Sequence, residues 1–265
     1  YGVDQIGSLS SDDGYKLFLN GSDSQSLLVE GAPLNGGTVD LSSFVMNLLP
    51  YLLQDCMATS DVFAGYEDHL LIVKNDSSDY YVPAYGVETL AEMCPGEAYA
   101  VFLSGADDLS FTYPSGGGVA SNHMQQIIDD YKSRAHVEVL EETGEGHLII
   151  VTNITGDLEM QLGDQIRAYA HNQLVGAINI VQEHLDGTFP IDLVAVSSLS
   201  EYEPYIVSKD GYVKGSDKIE LAYVRSGVEY SATLNITDGS SQYDNMFTSG
   251  GLDVSIVEAT EFGIT

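Results

Sequence analysis

Two cysteines, six histidines and forty carboxylates are the residues of this 265-residue chain with the chemistry for catalysis or metal binding. Their spacing decides what that chemistry is. Cys56 and Cys94 fall in no Cys-x-x-Cys or Cys/His pattern, which argues against a zinc site. A disulfide between them would close a loop of about 38 residues and contribute about 3–4 kcal/mol in an oxidising compartment. The alternative is two buried thiols acting as small hydrophobes. His69, His123, His136, His147, His171 and His184 are scattered, and neither HExxH nor GxSxG occurs. Ser115-Gly116-Gly117-Gly118 lacks the strand and helix that flank a phosphate loop. Adjacent acids such as Asp129-Asp130 and Glu141-Glu142 are what a solvated face looks like in a chain this acidic. No residue is assigned as catalytic, and the chain is expected not to be an enzyme.

Binding chemistry is the other possibility in these residues. Gly163-Asp164, Asp186-Gly187, Asp210-Gly211 and Asp238-Gly239 read as tight turns, because Gly admits positive φ and Asp bonds its own backbone. If Asp164, Asp186 and Asp210 converged they would suit Ca2+, although no EF-hand loop is present and no cofactor is required. Tyr80, Tyr81 and Tyr85 form the densest aromatic cluster. They are candidates for stacking on a glycan, against the plainer reading of cross-strand packing.

The elements that would position these residues are mostly strands. Leu70–Lys74 and Tyr80–Pro83 are apolar runs on either side of Asn75-Asp76-Ser77-Ser78-Asp79, a hairpin composition. Pro95-Gly96 breaks the chain before a third strand at 98–103, and a fourth follows at 109–113. Leu41, Phe44, Val45, Leu48, Leu49, Leu52 and Leu53 recur at helical period and predict one amphipathic helix near 41–54, capped by Asp40 or Ser42 and kinked by Pro50. Ser115–Gly118 reads as a flexible link, and Met124, Ile127, Ile128 and Tyr131 predict a short helix after it. Short strands at 147–152, 166–170, 176–181, 191–196, 219–223 and 229–234, spaced by turns, fit an immunoglobulin-like β-sandwich. Leu252-Asp253-Val254-Ser255-Ile256-Val257 alternates as a strand, either the last of the sandwich or one exchanged with a neighbouring copy. Leu252, Val254 and Ile256 are therefore candidate polymer contacts.

The expected fold class is mainly β with two β-rich domains. Residues 1–113 form the first, with the helix; 114–146 link them; 147–238 form the sandwich; and 239–265 are a C-terminal segment. Val73-Lys74, Tyr81-Val82-Pro83, Glu88-Thr89-Leu90, Pro95-Gly96-Glu97-Ala98-Tyr99 and Leu109–Pro114 resemble the repeat module of large secreted and cell-surface proteins of Bacteroidetes type, the β-sandwich repeats associated with type IX secretion. The likeness continues through Gly163-Asp164-Gln165-Ile166-Arg167-Ala168-Tyr169, Leu174-Val175-Gly176-Ala177 and Asp210–Ile219, in the expected order. It departs in the absence of Trp, with Tyr223 standing where the pattern has one, and in Asp164-Gln165 and Tyr169-Ala170-His171-Asn172. The resemblance implies an extracellular architectural module.

Charge narrows the partners. Nine Lys and Arg stand against forty Asp and Glu, a net charge of -31. A phosphate backbone or an anionic membrane surface would be repelled. No apolar run is long enough to insert into a membrane as a helix. The chain starts at Tyr1 without a basic-then-apolar leader, the expectation for a processed protein or a segment of a longer one. The reading is an extracellular or cell-surface structural and adhesive module that docks on copies of itself or on neighbouring modules. The alternative is a carbohydrate-binding module that recognises surface glycans.

Overall fold

A computed structural model describes residues 8–17, 26, 28, 31–32, 34–115, 122–155, 159–200, 209–239 and 254–264. The fold is mainly β. The first domain contains β1 (Thr38–Leu41), β2 (Asn47–Pro50), β3 (Met57–Ala58), helix α1 (Thr59–Val62), β4 (Leu70–Lys74), β5 (Tyr80–Val82), β6 (Val87–Glu88), β7 (Glu92–Met93), β8 (Ala98–Leu103) and β9 (Leu109–Thr112). Five of these strands form an antiparallel sheet in the order β2-β8-β4-β5-β6. Two small ladders, β1-β9 and β3-β7, complete the domain. The strand at 109–112 therefore pairs with β1 rather than with its neighbour β8. Aromatic rings fill the core: Phe63 and Phe111 lie 5.1 Å apart between centroids, and Phe111 meets Tyr113 edge-on at 4.8 Å.

No helix forms near 41–54. Pro50 lacks the amide a helix would need there, and Leu48, Leu49 and Pro50 pair with Ala100, Tyr99 and Ala98 instead. Between β1 and β2 the Asn47 side chain closes the turn, accepting from Ser42 N at 2.8 Å and donating to Ser42 O at 3.0 Å. Asp108 Oδ1 accepts from Ser43 N at 2.7 Å. The supposed stripe is split: within β2 Leu49 is fully buried and Leu48 turns outward, while Phe44 and Val45 lie exposed in the preceding turn.

The second domain is larger than its expected span. Helix α2 (Asn122–Ala135) and β10 (His136–Val137), placed in the linker by sequence, belong to it. They are followed by β11 (Gly146–Ile154), β12 (Gln165–Ala170), β13 (Gln173–Asn179), α3 (Gln182–Asp186), β14 (Ile191–Val196), β15 (Ile219–Arg225), β16 (Val228–Gly239) and β17 (Val254–Ile264). Tyr131 and Ala135 of α2 pack in the main core, whereas Ile127 is exposed. The eight strands run β10-β13-β12-β15-β16-β17-β11-β14, antiparallel except for β11 with β17.

That sheet curls on itself in a sandwich-like arrangement. Val175 and Ile178 of β13 and Ile191 and Leu193 of β14 share one core although they come from opposite ends of the sheet. Gly176 makes the closure possible. A Cβ there would sit 2.2 Å from the carbonyl oxygen of Val194, so β13 and β14 can approach only because no side chain intervenes.

The C-terminal strand β17 is internal, hydrogen-bonded to β16 on one side and β11 on the other. It is the chain's own strand, not an open edge. Among the described residues, the end strands β6 and β10 have two residues each and Gly14 N donates to Leu48 O on the outer side of β2 at 3.2 Å, while the six-residue β14 ends the large sheet, where Tyr212 N donates to Val196 O at 3.0 Å.

Candidate functional site

The seam between the two domains gathers the chain's most deliberate placement of charge. Glu145, at the entrance to β11, is 6% exposed. Its backbone is fixed by Ser197 N donating to Glu145 O at 3.0 Å and by Glu145 N donating to Thr143 Oγ1 at 3.1 Å. Lys16, from the N-terminal segment of the first domain, donates to Oε1, and Lys214 Nζ reaches Oε2 at 2.7 Å. Lys74, the buried end of β4, adds its charge to the same carboxylate. Burial alone would raise the Glu145 pKa. The three lysines outweigh it and hold the carboxyl below the ordinary glutamate value of 4.5, so the group stays charged.

One further ion pair joins the domains, and its carboxylate is held by a neighbour in its own turn. Lys132 of α2 pairs with Asp79 in the β4–β5 turn, and Asn75 Nδ2 donates to Asp79 Oδ2 at 3.0 Å. Between these charges lies an apolar cluster: Ile72, Tyr80, Val82 and Phe102 from the first domain against Leu148, Ile150 and Ile256 from the second. Gly146 lets the surfaces meet, since a Cβ there would stand 3.1 Å from the Tyr80 hydroxyl and 3.0 Å from Val194 Cγ1. The two domains are therefore packed directly against each other through a charge-flanked apolar interface, and Gly116–Gly118 of the expected flexible link lie outside the described residues.

The sequence-derived candidates are dispersed by the fold. Tyr80 lies in the seam and Tyr81 in the first domain's core, stacked on Phe63 at 6.2 Å, which leaves only Tyr85 partly exposed. Tyr80 and Tyr81 therefore cannot form a glycan-stacking surface. Burial, reinforced by Glu88 and Glu67, raises Tyr81 to about 12. Asp164 is sealed inside an ion pair with Arg225 (Nη2 to Oδ2, 2.6 Å), with the Tyr223 hydroxyl and Gln161 N also donating to it. Asp186 Oδ1 is held by Thr188 N at 3.1 Å and Thr188 Oγ1 at 2.6 Å. Asp210 is exposed in its own turn. These three aspartates do not come together as a Ca2+ site. Ile256 is buried in the seam, where it faces the chain's own first domain rather than a neighbouring copy. Val254 pairs through its backbone with Leu148. Leu252 lies outside the described residues.

A second buried polar network sits behind α2. Tyr131 donates to Asp192 Oδ1, and its oxygen lies 3.0 Å from His184 Nε2. Val181 N donates to His184 Nδ1 at 3.2 Å, which places the ring proton on Nε2. Burial lowers the His184 pKa, so the ring stays neutral. His184 is locked in this way and Tyr131 is raised by burial and by Asp192, while His136 Nε2, 3.4 Å from Asp192 Oδ2, is a buried nitrogen of the same cluster without a hydrogen-bond partner among the described residues. Beside it a groove of about 600 Å³ runs between the β4–β5 turn and the stretch after β10. Its floor is Ala177, Val194 and Val196, and its rim is acidic at Glu138 and Glu142.

Sequence reasoning missed Glu145 and its lysines, because each pair spans 69 residues or more and a chain with forty acids gives no reason to single one out. The one signal was the scarcity of cations. Comparison with protein-family models, with curated proteins and with solved structures finds no match.

Proposed function

We propose that the chain is an extracellular structural and adhesive module: a self-assembling subunit or repeat of a surface fibre, sheath or large adhesin. The observation that carries this reading is the seam. Three of the chain's nine cations, Lys16, Lys74 and Lys132, reach across it, and an apolar cluster lies between them. The result is a block suited to transmitting load from one domain to the other. The disulfide between Cys56 and Cys94 supports an oxidising location. No helix among the described residues is long and apolar enough to cross a membrane.

Docking between copies would use faces rather than exchange of the C-terminal strand, which is already paired on both sides within the chain. Phe44 at 72% and Val45 at 49% exposure are apolar side chains turned outward in the β1–β2 turn, and Leu48 at 38% follows in β2. In a chain of net charge -31, contact between copies needs such an uncharged surface or bridging cations. Negative-stain electron microscopy of the purified chain in saline with and without Ca2+ tests the proposal. Ordered end-to-end assemblies, lost in Phe44→Glu, are expected. Monomers at every salt and Ca2+ concentration, or monomers retained on polysaccharide columns, would overturn it in favour of a glycan-binding module.

A further inference from the structure

Cys56 and Cys94 come from strands that the sequence keeps well apart, and their environment offers more than a crosslink. The β3–β7 ladder pairs Met57 with Met93 and Ala58 with Glu92, so the residues just beyond it, Cys56 and Cys94, stand opposite each other with Cα atoms 4.2 Å apart. Glu92 lies two positions before Cys94 and so points to the same face of β7. The two sulfurs and a Glu92 carboxylate oxygen lie within 4.8 Å of one another, and all three residues are half-buried. Among the described residues this is the only such convergence of His, Cys, Asp and Glu ligand atoms.

Two thiolates and a carboxylate on one small ladder are three ligands of a tetrahedral Zn2+ site, with the fourth position left to water. In the oxidised chain the sulfurs are bonded to each other and neither is available. We infer that reduction of this disulfide converts the ladder into a binding site for a borderline-soft divalent metal ion, Zn2+ or Cd2+, so that metal and disulfide are mutually exclusive occupants of one place. This inference stands independently of the assembly proposed above. With a phosphine reductant the step balances: the disulfide, the phosphine and one water give two thiols and the phosphine oxide. Metal binding then displaces one proton from each thiol, so affinity rises with pH. The fold supplies the frame from outside the ligand set. Tyr99 Oη accepts from Cys94 N at 2.8 Å, and Thr59 N, just past β3, donates to Ala91 O at 3.0 Å. The net charge of -31 concentrates divalent cations near the chain, but carboxylates alone would give Cd2+ no bond to sulfur.

The experiment titrates Cd2+ into the full chain with and without the phosphine reductant. It follows the ultraviolet thiolate-to-Cd2+ charge-transfer band, with circular dichroism on the same samples and Zn2+ as competitor. One Cd2+ per reduced chain is expected and none in the oxidised chain, with reoxidation expelling the metal. Cys56→Ser with Cys94→Ser should abolish the band. Glu92→Gln should weaken Cd2+ binding by more than the ~10-fold that even an outer-shell partner contributes. No charge-transfer band in a reduced chain that retains its β signal would overturn the inference. So would equal affinity in Glu92→Gln, or a reduced chain that unfolds and is not restored by either metal.

Discussion

Replacing Glu145 with Gln keeps the shape of the side chain and one acceptor oxygen but removes the charge on which the lysines converge. Lys214 is 12% exposed and loses an ionic partner at 2.7 Å. Lys74 is 8% exposed and loses the carboxylate charge next to it. Lys16, with its side chain 36% exposed, can turn toward water, so its pair is screened and we assign it nothing. Breaking a buried pair by removing one partner costs about 3–5 kcal/mol, and the retained amide oxygen places Glu145→Gln near the lower figure, about 3 kcal/mol. At about 2–4 °C per kcal/mol for a chain of this size, the thermal midpoint should fall by about 6–12 °C. Calorimetry reads the midpoint. Amide exchange reads the place, which should be the entrance of β11 and the β4–β5 turn rather than the two domain cores. The control is Glu220→Gln, whose pair with Lys218 at 3.2 Å has side chains 51% and 69% exposed and should leave the midpoint nearly unchanged. If Glu145→Gln moves the midpoint no more than Glu220→Gln does, or if protection is lost in the cores and not at the seam, the account of the seam is wrong.

Acid should release the same contact. A folded-state pKa below the ordinary 4.5 means that the stability from Glu145 is fully present above that value and is lost as pH falls through the folded pKa. The difference in urea midpoint between parent and Glu145→Gln should therefore be constant from neutral pH down to that region and narrow below it, and a difference that holds in strong acid would contradict the assignment. Gly176→Ala should cost about 3 kcal/mol or more by chemical denaturation, because its Cβ meets the Val194 carbonyl at 2.2 Å and backbone on both sides must move. Gly163→Ala, at a positive φ with nothing within 4 Å, should cost about 1 kcal/mol from backbone strain alone, and equal losses at the two sites would refute the close approach of β13 and β14.

Much of the strand layout was legible because it rests on local pattern. Leu70–Lys74, Ala98–Leu103 and Ile191–Val196 are apolar runs bounded by turn residues, and each is a strand with those limits. The α2 helix was legible for the same reason: Ile128 and Tyr131 fall on one helical face. The 41–54 stretch misled because a seven-residue apolar stripe fits helical period even when its members are used in a different way. Pro50 and the Asn47-closed turn were the local facts that outweighed it. Period also says nothing about partners. That β9 pairs with β1, and that β17 runs parallel to β11 in the interior of the sheet, depend on pairings between residues far apart in the chain. The seam is the extreme case. Lys16 and Glu145 are 129 residues apart, and neither position carries a local signal.

The placement of those lysines follows from the chain's overall charge. In a molecule of net charge -31 a lysine anywhere is favoured by the surrounding field, so scarcity, not affinity, decides where the few cations matter. At an exposed position such as Lys218, side-chain 51% exposed, solvent and salt screen the contact and it contributes little. At the seam the same charge is shielded from water and offsets repulsion at the place where two acidic domains must touch. An apolar cluster alone could bring Ile72 and Ile150 together, but it would do so against the mutual repulsion of the carboxylates at its border. Lys74 and Lys214 at Glu145, and Lys132 at Asp79, remove that opposition on both flanks of the cluster. The domains can therefore be joined firmly while the rest of the surface stays acidic and water-bound, the combination a module needs if it is to bear load outside a cell without binding indiscriminately.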